Sequence, residues 1–194
     1  MDILAHGLWA GSAGKAINLK REKLLKLKWM VVWGIFPDFF AFAISFSWMI
    51  GSQIFPFIPK IEHLGPGNME PVTQNGLFIM HLTHTLYNIS HSLFVFFLIF
   101  GLVWLIFKKP VWVMTGWLLH ILMDIPSHSY DFFPTPFLWP ISDFKINGMH
   151  WGTPWFMITN YSLIIIAYLL LYIINKRNKK RASLPLSKIK QTYE

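Results

Sequence analysis

The chain has 194 residues, of which 54% are hydrophobic, 18% aromatic and only 13% charged, against about 25% charged in an average soluble domain. It carries a formal net charge of +8 and no cysteine, so disulfides and thiolate metal sites are excluded. The length suits one domain, and the basic residues are gathered into runs without the interleaved aromatics of a nucleic-acid surface, which excludes nucleic acid as the expected partner.

Residues 1–14 lack the basic start and sustained apolar run of a signal peptide. Residues 15–28 set Ile17, Leu24, Leu25 and Leu27 among Lys15, Lys20, Arg21, Lys23, Lys26 and Lys28. They read as a solvated topology signal and, where helical, as a basic amphipathic or half-inserted helix at the inner surface of a membrane. Four apolar segments follow, Trp29–Ile58, Leu77–Phe107, Val111–Ile125 and Trp155–Ile174. The last comes closest to the roughly 20 residues a helix needs to cross a bilayer. Val111–Ile125 is short and polar, so it needs protein neighbours to cover it. Lys108 and Lys109 separate the second and third segments, and Lys176, Arg177, Lys179, Lys180, Arg181, Lys188 and Lys190 follow the fourth. The other two connections hold only Lys60 and Lys145. The positive-inside rule then places both termini in the cytoplasm. The expected fold is all-α: a polytopic membrane bundle of about four spans over residues 1–175, with a basic cytoplasmic tail over 176–194.

Polar residues inside these segments carry the functional signal. Asp38 follows Pro37, a residue expected to break or kink the first span. In the second span His81, His84, Thr85, Asn88, His91 and Ser92 share one third of the helix circumference, and the run Leu93–Phe100 after them is wholly apolar. The first half of that helix therefore lines something polar. In the third, His120 and Asp124 stand one turn apart on one face, and His128 follows four residues later. Ionisable groups at membrane depth cost several kcal/mol each unless paired, solvated or bound to an ion. At about 1.5 Å per residue from the nearest basic residue, Asp38 lies about 15 Å deep, His120 about 17 Å, Asp124 about 23 Å and His91 about 26 Å. Three segments thus carry ionisable groups into the middle and far slab of a bilayer, where they are expected to converge on one metal.

Imidazole and carboxylate donors without thiolates suit zinc first, and also manganese or iron. His128 and Asp131, in Ser127-His128-Ser129-Tyr130-Asp131, are candidates for a general base or for orienting a liganding histidine. Residues 126–154 hold five prolines and two glycines among aromatics, the composition of a rigid cap, whereas the loop at 59–76 looks softer. His63, His81, His84 and His150 have no assigned role. Asn88-Ile89-Ser90 has the form of a glycosylation acceptor but falls inside a span.

His6 in Ala5-His6-Gly7-Leu8, the Pro37-Asp38 pair, Ser90-His91-Ser92-Leu93, His120-x-x-x-Asp124 and Phe137-Leu138-Trp139-Pro140 occur in one order. Together they resemble the bacterial membrane-bound metal-dependent hydrolases, a family that includes a LexA-regulated inner-membrane member, over roughly residues 1–160. The resemblance implies that His6, Asp38, His91, His120 and Asp124 bind the metal and that the protein sits in a bacterial inner membrane. Where family members often carry His-Arg-Gly-x-Thr-His-Ser, this chain has Leu86-Tyr87-Asn88-Ile89-Ser90-His91-Ser92, without the first histidine and the arginine. The His-x-x-x-Asp pair with an upstream aspartate and an N-terminal histidine is more distantly similar to zinc-dependent phospholipase C. The expected activity is metal-dependent hydrolysis of an ester or phosphoester in a small or lipid-like substrate. A transporter, or a proton or metal-ion relay built on the same His/Asp cluster, is the alternative.

Overall fold

A computed structural model describes residues 1–20, 24–59 and 78–182. Lys60, His63, Arg21, Lys23, nearly all of the soft loop at 59–76, and Lys188 and Lys190 of the tail lie outside the described residues. Among the described residues six α-helices carry the fold: α1 (Ile3–Asn18), α2 (Leu27–Ile54), α3 (Phe78–Ser90), α4 (Leu93–Phe107), α5 (Thr115–Ser127) and α6 (Pro154–Ala182). No strand occurs among the described residues.

The first helix starts at Asp2, whose carboxylate accepts from the Ala5 N–H at 3.0 Å, a side-chain cap that satisfies one of the free donors of the first turn. It ends at Asn18, so the basic amphipathic helix expected over 15–28 does not form. Instead Asn18 Oδ1 accepts from Leu25 N at 2.7 Å while its Nδ2 donates to Leu25 O at 3.0 Å. A side chain that mimics a backbone turn in this way diverts the chain from helix. α1 packs against α2 and α6. A Cβ on Gly34 of α2 would stand 2.5 Å from Ala10 Cβ and 3.1 Å from the His6 carbonyl oxygen, so the glycine lets the two backbones meet closely.

α2 runs as one helix through Pro37, not broken there as expected. The second apolar segment, by contrast, is broken. α3 closes with His91 N donating to Tyr87 O at 2.9 Å, and Ser92 caps α4 by accepting from Val95 N at 3.2 Å. The two helices meet at 62°. Ser92 Oγ also donates to the Trp139 carbonyl, which ties the break to the following loop. Because the axis turns at His91, the polar stripe upstream does not reach the same place: His81 and Thr85 are exposed on α3.

Helices α2 and α6 are long and apolar enough to cross a membrane, and the bent α3–α4 pair makes a third span if it counts as one. That is two to three, not the four expected. The difference lies in α5, whose 13 residues rise only about 20 Å, against about 30 Å of hydrocarbon. Exposed apolar side chains cover α4 (Leu102, Leu105, Ile106) and α6 (Leu163, Ile166, Leu169, Leu170), as suits surfaces facing lipid.

The core forms where α2, α4 and α5 meet. Trp117, Phe96, Met114 and Ile121 are buried there, with Trp33 and Phe36 of α2 packed on them. A Cβ at Gly116 would collide with the Met30 carbonyl, so α5 crosses α2 in close contact. Residues 128–153 form turns that fold back over the end of α5: Gly148 N donates to His128 O (2.8 Å), Met149 N to Pro126 O (2.8 Å) and Trp151 N to Ser127 O (3.1 Å).

Candidate metal centre

Helices α1, α2 and α5 and the α3–α4 break each deliver one or two ionisable groups to a single buried point. Asp38 comes from the middle of α2, His91 from the break between α3 and α4, His120 and Asp124 from one face of α5, and His6 from the first turns of α1. All five are 5% exposed or less. Asp38, His91, His120 and Asp124 offer one ligand atom each, all within 4.8 Å of one another. His6 joins them: its ring stacks on His120 with centroids 3.6 Å apart, and its Nε2 lies 2.9 Å from Asp124 Oδ1.

The tautomers of the two central histidines follow from their outer contacts. His120 Nδ1 lies 2.7 Å from the Gly34 carbonyl oxygen, to which only an N–H can donate. His91 Nδ1 lies 3.1 Å from Tyr87 O, with Ser90 Oγ at 2.9 Å. Both rings therefore direct Nε2 lone pairs inward, and those two atoms are 3.1 Å apart. Two facing lone pairs repel unless a proton or a cation lies between them. Such outward Nδ1–H bonds to carbonyls are what orient liganding imidazoles.

The spacings suit an ion. Donors about 2.0–2.1 Å from a tetrahedral ion lie about 3.3–3.4 Å from each other. Here His91 Nε2 and His120 Nε2 lie 3.4 and 3.6 Å from Asp38 Oδ1, and 3.4 and 3.1 Å from Asp124 Oδ2. Asp124 Oδ2 is buried, yet no group hydrogen-bonds it. A buried carboxylate oxygen without a partner is costly, and a divalent ion is the group that removes the cost. Asp38, His91, His120 and Asp124 thus fit a divalent metal.

The other carboxylate oxygens face a second set of nitrogens. Asp124 Oδ1 accepts from the Met1 amino group at 2.6 Å and lies 3.4 Å from His128 Nε2, while Asp38 Oδ2 lies 4.0 Å from His6 Nε2. His128 is also held by its outer nitrogen, Nδ1, which is 2.8 Å from the Phe133 carbonyl oxygen; its Nε2 is 2.8 Å from the Met1 amino nitrogen. Asp131 does not join. It sits exposed in the turn beyond His128, because the chain leaves the cluster at Ser129 and Tyr130 N is drawn to Asn147 Oδ1 at 2.9 Å. Lys145 belongs to the same outer loop, where its carbonyl accepts from the Tyr130 hydroxyl at 3.0 Å.

Several residues that hold the site gave no separate signal. Tyr87 stacks on His91 at 3.8 Å and donates to Phe133 O at 2.8 Å. Trp117 Nε1 donates to Ser90 O at 2.6 Å, and Ser90 Oγ to Pro37 O at 3.2 Å. Tyr87 precedes His91 by one helical turn, a spacing that points to it; the Met1 amino group and the Gly34 carbonyl are backbone groups with no side-chain pattern to reveal them. A cavity of about 410 Å³ reaches the centre, with Asp38 and His128 in its wall. No protein-family model, no curated protein and no solved structure matches the chain.

Proposed function

We propose that the protein is a membrane-embedded metal-dependent hydrolase acting on an ester or phosphoester of a lipid-like substrate. The two or three long apolar helices, the basic runs and the resemblance of the motifs to membrane-bound metal-dependent hydrolases support a bacterial inner-membrane location with both termini cytoplasmic. One observation carries the reading. The two inward Nε2 atoms and two carboxylate oxygens form a cation-shaped cluster, and an open cavity reaches the same cluster through Asp38 and His128.

Asp38, His91, His120 and Asp124 would hold the ion, with His6 beside them. Bound there, a divalent ion such as zinc supplies Lewis acidity and lowers the pKa of water. The protein supplies the rest. Hydrolysis joins the oxygen of water to the carbonyl carbon or phosphorus and breaks the bond to the leaving oxygen, so one proton must leave the water and one must reach the leaving alcohol. His128 lines the cavity, and with its Nδ1 bonded to the Phe133 carbonyl its Nε2 is the atom suited to accept the first proton and return it.

The test is metal content by mass spectrometry on detergent-purified protein, beside a His120→Ala/Asp124→Ala variant, followed by hydrolysis assays on phosphoesters and lipid esters. Near-stoichiometric zinc or manganese that vanishes in the variant, with chelator-sensitive hydrolysis, is expected. Metal-free wild-type protein from a chelator-free preparation would overturn the reading.

A further inference from the structure

The cavity beside the centre has a division of chemistry that selects its occupant. Its walls are Ile3 and Leu4 of α1, Phe42 and Phe46 of α2, and Phe132 of the capping loop; its floor is Asp38 and His128. Leu4 is 63% exposed and Phe46 47%, so an apolar mouth opens at the outside of the helix bundle between the start of α1 and the middle of α2. α1 runs from this mouth towards Lys15, and α2 reaches it from Lys28. The mouth therefore lies on the side of the cluster remote from the basic helix ends. A helix as short as α1 leaves the space above its first turn uncovered, and that space is the cavity.

Two polar atoms in the same wall have no partner. Trp151 Nε1 is a buried donor and Asp2 Oδ2 a buried acceptor, both without a hydrogen bond, and both residues line the cavity. Asp2 Oδ1 is engaged with Ala5 N and the Tyr161 hydroxyl, so its second oxygen is held in place while left unsatisfied. Both atoms are closed off from the cavity itself, so polar recognition within it falls to the Asp38–His128 floor.

We propose that this cavity binds a single-chain amphiphile taken laterally from the leaflet remote from the basic helix ends. Its hydrocarbon chain lies between Leu4, Phe42, Phe46 and Phe132, and its polar group meets the Asp38–His128 floor. The volume sets the chain number. At roughly 30 Å³ per water-sized group, 410 Å³ admits on the order of a dozen methylenes, one chain and not the pair of a diacyl lipid. The inference rests on the hydrolase reading for the fate of the polar group, but the chain slot stands on geometry alone.

The experiment uses the full chain in phosphatidylcholine nanodiscs with a dodecyl phosphate that carries a diazirine at the chain end. After illumination, peptides containing Leu4, Phe42 and Phe46 should carry the label. Leu4→Trp and Phe46→Trp, both at exposed positions, should cut labelling by about tenfold or more, the equivalent of a couple of methylenes shut out of the slot; Leu105→Trp on the far surface of α4 should not. Labelling spread evenly over the apolar helix surfaces and indifferent to Leu4→Trp overturns the slot, even if the protein hydrolyses a water-soluble phosphoester. Labelling confined to the slot in a protein that hydrolyses neither soluble nor lipidic esters upholds the slot and overturns the hydrolase reading instead.

Discussion

Alanine placed at two glycines should act in opposite directions, and the comparison tests the helix contact on which the site is built. At Gly34 the added Cβ would stand 2.5 Å from Ala10 Cβ and 3.1 Å from the His6 carbonyl oxygen. Carbon atoms rest about 3.5–4.0 Å apart, so α1 must retreat by about an ångström or more. Neither obstacle is a flexible side-chain end, so nothing nearby can rotate away. Overpacking of a close contact costs about 1–3 kcal/mol, and for a chain of this size each kcal/mol lowers Tm by about 2–4 °C. Gly34→Ala should therefore lower Tm by about 2–12 °C. At Gly101 of α4 nothing lies within 4 Å of the added carbon, and alanine is the better helix former by about 1 kcal/mol; Gly101→Ala should leave Tm unchanged or raise it. Thermal unfolding of both variants in one detergent, followed by circular dichroism, measures the pair. A Gly34→Ala protein as stable as wild type would mean that α1 does not lie against α2 as described, and His6 would lose its place in the cluster.

Further outcomes follow from the site itself. Asp124→Asn should abolish metal retention while the protein still purifies from the membrane fraction, because Asp124 meets His6, His91, His120 and His128 at once; unchanged metal content would remove it from the ligand set. Tyr87→Phe deletes a hydroxyl whose acceptor, Phe133 O, keeps His128 Nδ1 at 2.8 Å, so the loss should stay near 1 kcal/mol in a denaturant or thermal series, and a much larger loss would show that the hydroxyl does more than bond this carbonyl. Ser90→Ala frees the His91 Nδ1 side of the site and should weaken metal affinity by about 10–100-fold in a chelator competition. Asp131→Asn, exposed and outside the cluster, should change neither metal content nor hydrolysis.

The site was more legible in the sequence than the fold around it. His120 and Asp124 are tied by helical spacing alone, and Asp38 and His91 stand out because ionisable residues inside apolar segments have few other uses. Helix count was less accessible. A run from Leu77 to Phe107 looks continuous by hydropathy, and only the capping bond from Val95 N to Ser92 splits it, a local competition between hydroxyl and backbone that hydropathy does not register. The same kind of competition at Asn18 ends α1 before the lysine run. Pro37 errs the other way: α2 absorbs it, with Gly34 O in the preceding turn bonded to His120. Asp131 has the right residue type three positions past His128, but the turn between them points it outward, and a turn direction has no periodicity to read.

The arrangement also makes metal binding and folding hard to separate. Asp38, His91, His120 and Asp124 arrive from α2, the α3–α4 break and α5, and each is nearly or wholly inaccessible. Without a cation the cluster leaves two imidazole lone pairs 3.1 Å apart and a buried carboxylate oxygen without a hydrogen bond. Those conditions disfavour the packed state, and elements that meet only at this point would separate first. An ion that binds the assembled donors and not the separated ones stabilises the assembly by its own binding free energy. The hydrophobic cluster of Trp117, Phe96, Met114 and Ile121 holds α4 and α5 together independently of the metal. The first turns of α1 are joined to the cluster itself, through the Met1 amino group on Asp124 and the His6 ring on His120, so loss of the ion should be felt there first, beside the open cavity.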